Sequence, residues 1–411
     1  MRAAFLEIWQ HADPNGGPAG RLYTRRDQAQ NESRLSALVD TATSEVKRAR
    51  SDRTRARAAQ ARILGAFRDF ACPALGWDRS LLDGPEADEF AGALRVFPVL
   101  ARRFDAALTT PEIYQAARNA ITFHCLQRLL GLPVRPTPSS LAYSLLYPYT
   151  DNYLDDTGPD VEAKKSFGER LARRLRGERV VPATTHERRV FQLVEMIEGE
   201  YERGEHPEVF HSLLAIHAAQ QRSLALLHSA ARLSPQDILE ITVEKGGTSV
   251  LADGYLAGGS LTALQAECVY GLGVFLQLRD DLEDLVQDQA RHQRTVFSSV
   301  PDRHVLDEPT ARTFAVGAAV VDRLDGFPSA VARHVRDVIR QSLCQTITDA
   351  AASYATRYSP GYQQLLETHS PVRLAFLLKQ RQRLSRANGS LTSALEIWLD
   401  RPDAMAFGTI S

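Results

Sequence analysis

Lysine is scarce in this chain, with five residues against 44 arginines in 411. Such a bias is a signature of a GC-rich genome, and it makes each lysine stand out. Cysteine is rarer still. Cys72, Cys125, Cys268 and Cys344 lie far apart with no CxxC pair, which excludes a disulfide framework or a thiolate zinc site and leads us to expect reduced thiols in a cytoplasmic protein. No apolar run reaches about 18 residues, so no membrane span is expected. The opening MRAAFLEIWQHADPNGG lacks a sustained apolar core, so no signal peptide is expected either. A net charge of −1 lacks the basic excess of a general nucleic-acid binder. Alternating apolar and polar stretches bounded by turn residues are nearly absent, which argues against sheets.

What remains is helical. Apolar residues recur at three- and four-residue spacing from about Arg34 to Leu399, and the 44% hydrophobic and 24% charged content is that of an ordinary globular protein. Thr110-Pro111-Glu112 and Thr137-Pro138 mark helix starts, and Ser234-Pro235-Gln236-Asp237 has the form of a capping box. Gly131, Gly177 and Gly326 mark stops. The pattern predicts an all-α chain with helices over 32–69, 138–156, 235–257 and 262–289 among others. Residues 1–31, rich in Gly, Pro, Asp and Gln, read as a loose leader before one helical domain over 32–411.

Two acidic segments stand out: DNYLDD at 151–156, and RDDLEDLVQD at 279–288. Asp151 and Asp155 are four residues apart, as are Asp280, Asp284 and Asp288, so a helix aligns each set on one face. Asp156 and Asp281 flank them. Like charges so aligned repel, and both segments adjoin apolar sequence, LLYPYT and YGLGVFLQL. A solvated face is the ordinary reading of one acidic run; two matching runs favour a bound cation. With only oxygen donors at ligand spacing, that cation is expected to be Mg²⁺, in two or three copies.

Other side chains fall around these acids. Tyr143 and Tyr147 precede Asp151 at four-residue spacing, while Tyr270 and Gln277 precede the second acidic segment on the face of its acids. They read either as core residues or as the lining of a cavity in which aromatic faces stabilise a cation. Pro148 interrupts the first helix, as a kink that re-aims the acids or a plain bend. Lys245 precedes Gly246-Gly247. That pair is either a helix break exposing phosphate-binding donors or a close helix-packing contact. Arg118, Arg279 and the pair Arg357-Tyr358 are further candidates for a diphosphate. The basic stretch from Lys47 to Arg62 is either a solvated helix face or a patch for an anionic membrane surface.

The two acidic segments, separated by KGGTS, resemble the aspartate-rich motifs of the class I isoprenoid synthase superfamily. The pattern is most similar to the squalene and phytoene synthase-like branch, including bacterial class IB terpene synthases. Asp151, Asp155 and Asp156 match the first motif, and Asp280, Asp284 and Asp288 the second. The chain departs from chain-elongating synthases, since paired arginines after the first motif are absent and 289–294 contains no lysine. It departs from common class I cyclases in lacking their asparagine-serine-glutamate triad. The resemblance implies one antiparallel helix bundle around a central apolar cavity, with both motifs at its mouth. It implies a Mg²⁺-dependent terpene synthase acting on a linear prenyl diphosphate, or alternatively a prenyltransferase. A non-catalytic helical scaffold is the rival outside the family. A monomer or a homodimer, without nucleic acid and with at most peripheral membrane contact, fits each.

Overall fold

A computed structural model describes residues 1–51, 56–79, 82–155, 161–227, 233–301 and 305–386. Among these the chain is all-α, with no strand. The N-terminal part holds α1 (Arg2–His11), α2 (Arg25–Ser51), α3 (Ala56–Leu75) and α4 (Pro85–Phe104). The middle holds α5 (Thr110–Leu129), α6 (Pro138–Asp155), α7 (Val161–Leu175), α8 (Thr185–Glu200), α9 (Pro207–Ser223) and α10 (Pro235–Gly258). There follow α11 (Ala263–Glu283), α12 (Leu285–Ala290), α13 (Asp307–Asp322), α14 (Ser329–Ala352), α15 (Pro360–His369) and α16 (Leu374–Arg386).

Caps fix the central helices. The Thr109 side chain accepts from the Glu112 N–H while the Glu112 carboxylate accepts from the Thr109 N–H, and Pro111 sits in the first turn of α5. Ser234 and Asp237 repeat the device at α10, as do Thr262 and Gln265 at α11. Gly131 and Gly177 adopt positive φ just past α5 and α7, where a side chain would be strained.

The leader is not loose at its start. Phe5 is fully buried and packs 6.0 Å, centroid to centroid, from the Tyr270 ring, while Trp9 is buried in the same core as α11 and α13. Apolar residues at positions 5, 6 and 9 put one stripe of α1 on the bundle, which outweighs the Gly- and Pro-rich segment behind it. Phe5→Ala should therefore destabilise the protein by about 3–5 kcal/mol in urea unfolding; no change would return α1 to a loose leader. The single helix expected over 32–69 is two, α2 and α3, which pack against each other.

α10 is the central rod, in contact with α1, α5, α6, α9 and α11. Its antiparallel crossing with α11 is made by glycines. A Cβ on Gly246 would lie 2.6 Å from the Gly273 carbonyl oxygen, and one on Gly273 would overlap the Gly246 carbonyl. Gly246-Gly247 lies inside an unbroken helix, so of the two readings of this pair the packing contact holds and the break does not. α6 runs antiparallel to α10 on another side, tied by the Tyr143 hydroxyl donating to the Ser249 carbonyl at 2.7 Å. Pro148 is carried within α6 without ending it.

Candidate functional site where the two acidic segments meet

The crossing of α6, α10 and α11 sets the geometry. Antiparallel packing of α6 on α10 carries the end of α6 to Lys245, whose Nζ lies 3.5 Å from Asp151 Oδ1. The close α10–α11 approach brings Gln277 and Asp281, one and two turns beyond Gly273, to the same place. Asp151, Lys245, Gln277 and Asp281 line one cleft, although 129 residues separate Asp151 from Asp280.

Within the second segment the structure separates neighbours. Asp281 is buried. Its Oδ1 accepts from Gln277 Nε2 at 2.8 Å, and its Oδ2 is buried without a partner among the described residues. Asp280 points outward, 42% exposed, toward Arg279 Nη1 at 2.8 Å and Arg118 Nη2 at 3.8 Å. The helix expected over 262–289 is jointed at Asp284, which ends α11 and begins α12. Four-residue hydrogen bonds nevertheless continue through the joint, from Asp284 N–H to the Asp280 carbonyl and from Asp288 N–H to the Asp284 carbonyl. The helical spacing of the acids survives.

Burial pushes the Asp281 carboxyl up to about 7, with the Gln277 hydrogen bond opposing and the Asp288 and Asp280 charges adding. Burial raises Asp288 to about 7 as well, reinforced by Asp284 and opposed by Arg291 and Lys245. Asp284 is raised by burial and by its acidic neighbours. Carboxyls so placed hold protons that the unfolded chain has released above its ordinary value near 3.8. The folded state then binds more protons than the unfolded one, and stability falls as pH rises from about 4 to about 7. We expect the metal-free protein to lose roughly 1–4 kcal/mol across that window. A flat profile in thermal melts at pH 5, 6, 7 and 8 would remove the strain from these acids.

The remaining candidates divide. Tyr143 is buried and serves as a strut through its bond to Ser249. Tyr270 is buried where a Cβ on Gly247 would overlap its ring, and it faces Phe5 of α1, away from the cleft. Tyr358 is buried against Thr310, with its hydroxyl 2.9 Å from Thr310 Oγ1 and its ring stacked on Tyr362. Arg357 donates to the Val300 and Pro301 carbonyls, and neither member of the pair lines the cleft. Tyr354, three residues earlier, does reach the second acidic helix, donating to the Glu283 carbonyl at 2.7 Å. Asp156 and the side chains of Tyr147 and Asp155 lie outside the described residues. So do parts of the basic stretch from Lys47 to Arg62; within it Arg48 and Arg62 bond Glu45.

Several cleft residues carry no obvious sequence signal: Gln220 and Ser223 of α9, Thr242 of α10, and Gln293 and Thr295 after α12. Thr242 alone had a hint, being one turn before Lys245 on its face. Leu154, Leu224, Leu226, Leu227 and Ile241 give the cleft an apolar side. Its volume is about 40 Å³, room for about one water. A larger apolar cavity of about 150 Å³ lies among α11, α13 and α14, lined by Phe275, Phe314, Gly317 and Leu343.

Among the described residues no three His, Cys, Asp or Glu side chains converge tightly enough to cage an ion. Mg²⁺ does not need such a cage, since one or two carboxylates with water and phosphate oxygens complete its shell. The all-oxygen donor set and the partnerless buried oxygen of Asp281 fit it. No helix among the described residues is long and apolar enough to cross a membrane.

Comparison with known proteins adds little. No family model matches the chain, and no curated protein matches it. Among solved structures, a polyprenyl synthetase from Streptomyces coelicolor A3(2) is similar over 76% of this chain and 98% of that one, at 14% identity and a TM-score of 0.31, a likeness too low to carry an argument.

Proposed function

We propose that the chain is a Mg²⁺-dependent class I terpene synthase, which ionises a linear prenyl diphosphate and lets the resulting cation cyclise or rearrange. The observation that carries this reading is the shared cleft of Asp151, Lys245 and Asp281, brought together from segments that have no reason to meet in a scaffold. The motif resemblance noted in the sequence points the same way.

Asp151 and Asp155 on α6, with Asp281, Asp284 and Asp288 on α11 and α12, are the residues that would hold Mg²⁺. The metal would supply charge neutralisation for the departing diphosphate. The chain's own residues do the rest. Lys245, already held by Asp151, adds a charge-assisted hydrogen bond to the anion. Gln277 orients Asp281. The leucine side of the cleft keeps water from the allylic cation as the C–O bond breaks. At about 40 Å³ the cleft must widen to take a substrate.

A prenyltransferase needs the same ionisation and a second substrate. Incubation with C10, C15, C20 and longer prenyl diphosphates, each alone and with isopentenyl diphosphate, separates the two. Pyrophosphate and a cyclic hydrocarbon or alcohol from one substrate alone supports the synthase. Product only with isopentenyl diphosphate, or only as a head-to-head hydrocarbon, moves the chain to the prenyltransferases.

A further inference from the structure

The cleft has a feature that paired acids and a lysine do not explain. Gln220 and Thr242 are 4% and 3% exposed, yet neither side chain has a hydrogen-bond partner among the described residues, and both line the cleft. The polar ends themselves are not sealed off, so they open onto the cleft, where a ligand or water can satisfy them. Gln293 joins them. Its side chain also lines the cleft without a protein partner among the described residues, while its backbone is held from both sides. The Gln293 N–H donates to the Asp288 carbonyl at 2.9 Å, its carbonyl accepts from Ser298 Oγ at 2.7 Å, and the next N–H, of Arg294, donates to the Leu226 carbonyl at 3.1 Å. The turn that delivers it passes through His292 at φ 56°, a left-handed conformation uncommon outside glycine. These bonds fix the backbone from which Gln293 reaches the cleft.

We propose that Gln220, Thr242 and Gln293 seat the oxygens of the diphosphate through neutral hydrogen bonds, completing what Lys245 begins; this rests on the prenyl diphosphate reading above. The chemistry favours an anion over a metal at these three residues. Each of the three offers a donor beside its acceptor oxygen, and since the acids already supply acceptors for a metal, the donors are what the site adds for an anion. Lys245 is the one basic residue lining the cleft among the described residues, so phosphate oxygens met by neither it nor the metal are left to uncharged donors. Such donors also keep the pocket from binding the anion so tightly that the product stays.

The test is calorimetric titration of inorganic pyrophosphate, with Mg²⁺ present, into the wild-type chain and Gln220→Leu, Thr242→Val and Thr242→Ser. Each of the first two should weaken pyrophosphate binding about 10- to 100-fold, and Thr242→Ser should bind about as the wild type does. Mg²⁺ binding without pyrophosphate should be equal in all four, which a general loosening of the site would not leave unchanged. Thr242→Val is close to isosteric, so it keeps the test valid if Gln220→Leu fails to fold. Unchanged pyrophosphate affinity in Thr242→Val, or a parallel loss of Mg²⁺ affinity, overturns the seat while leaving the enzyme reading intact. A wild-type chain that binds no pyrophosphate overturns both.

Discussion

Asp281→Asn should lower the rate of Mg²⁺-dependent pyrophosphate release by about 10²–10³-fold while leaving the fold at least as stable as before. The two halves of this expectation come from the same burial. Asp281 is enclosed, raised to about 7, and half unpartnered, so its charge burdens the metal-free fold. Asparagine has the same shape, and its carbonyl still accepts from Gln277. Removing the charge should make the protein more stable at pH 8, by about 1 kcal/mol or more, and flatten its stability against pH. A residue kept for structure would behave the other way. Asp151→Asn should also abolish most release, but without the gain in stability, because it breaks the contact with Lys245. Asp280→Asn should matter less than either, since Asp280 faces outward to Arg118 and Arg279. Near-normal turnover by Asp281→Asn would refute its role.

Gly273→Ala should be among the most destabilising single-methyl additions in the chain. In an exposed helix interior, alanine is favoured over glycine by about 1 kcal/mol. At Gly273 the added carbon overlaps the Gly246 carbonyl, a backbone atom that cannot rotate aside. The two helices must separate, and we expect a net loss of about 2–3 kcal/mol. The separation would also move Gln277 and Asp281, one and two turns along, so activity should fall with stability. Gly246→Ala addresses the same contact, and the double variant should cost less than the sum. Gly65→Ala is the control: it lies within α3, where an added methyl would meet nothing within 4 Å, and it should stabilise by about 0.5–1 kcal/mol. Equal effects at Gly65 and Gly273 in urea unfolding would contradict the close crossing.

Much of this architecture is legible in the residues. The helical spacing of apolar residues gives the all-α fold, and the caps read at Thr110 and Ser234 place the starts of α5 and α10 to within a residue, the cap of α5 being Thr109, because capping is a local interaction. The acidic segments are legible for the same local reason. What the spacing does not reveal is long-range. That α1 docks depends on a pocket made by α11 and α13. That Gly246 and Gly273 meet depends on the antiparallel turn between α10 and α11. By spacing Tyr270 reads either as core or as cavity lining, and the choice is long-range: Phe5 of α1 takes its ring, so the core reading holds. Gln220 and Gln293 come from separate elements, and neutral amides leave no charge pattern to notice.

The most direct test of a single Mg²⁺ and diphosphate site built from both acidic segments is thermal unfolding at pH 8 with Mg²⁺, with pyrophosphate, and with both. Only the two together should stabilise the wild-type chain strongly, by about 2.7 kcal/mol at a hundredfold excess over Kd. Asp151→Asn and Asp281→Asn, from segments far apart in sequence, should each lose that joint effect. Full stabilisation retained by either variant, or none in the wild type, would contradict the shared site.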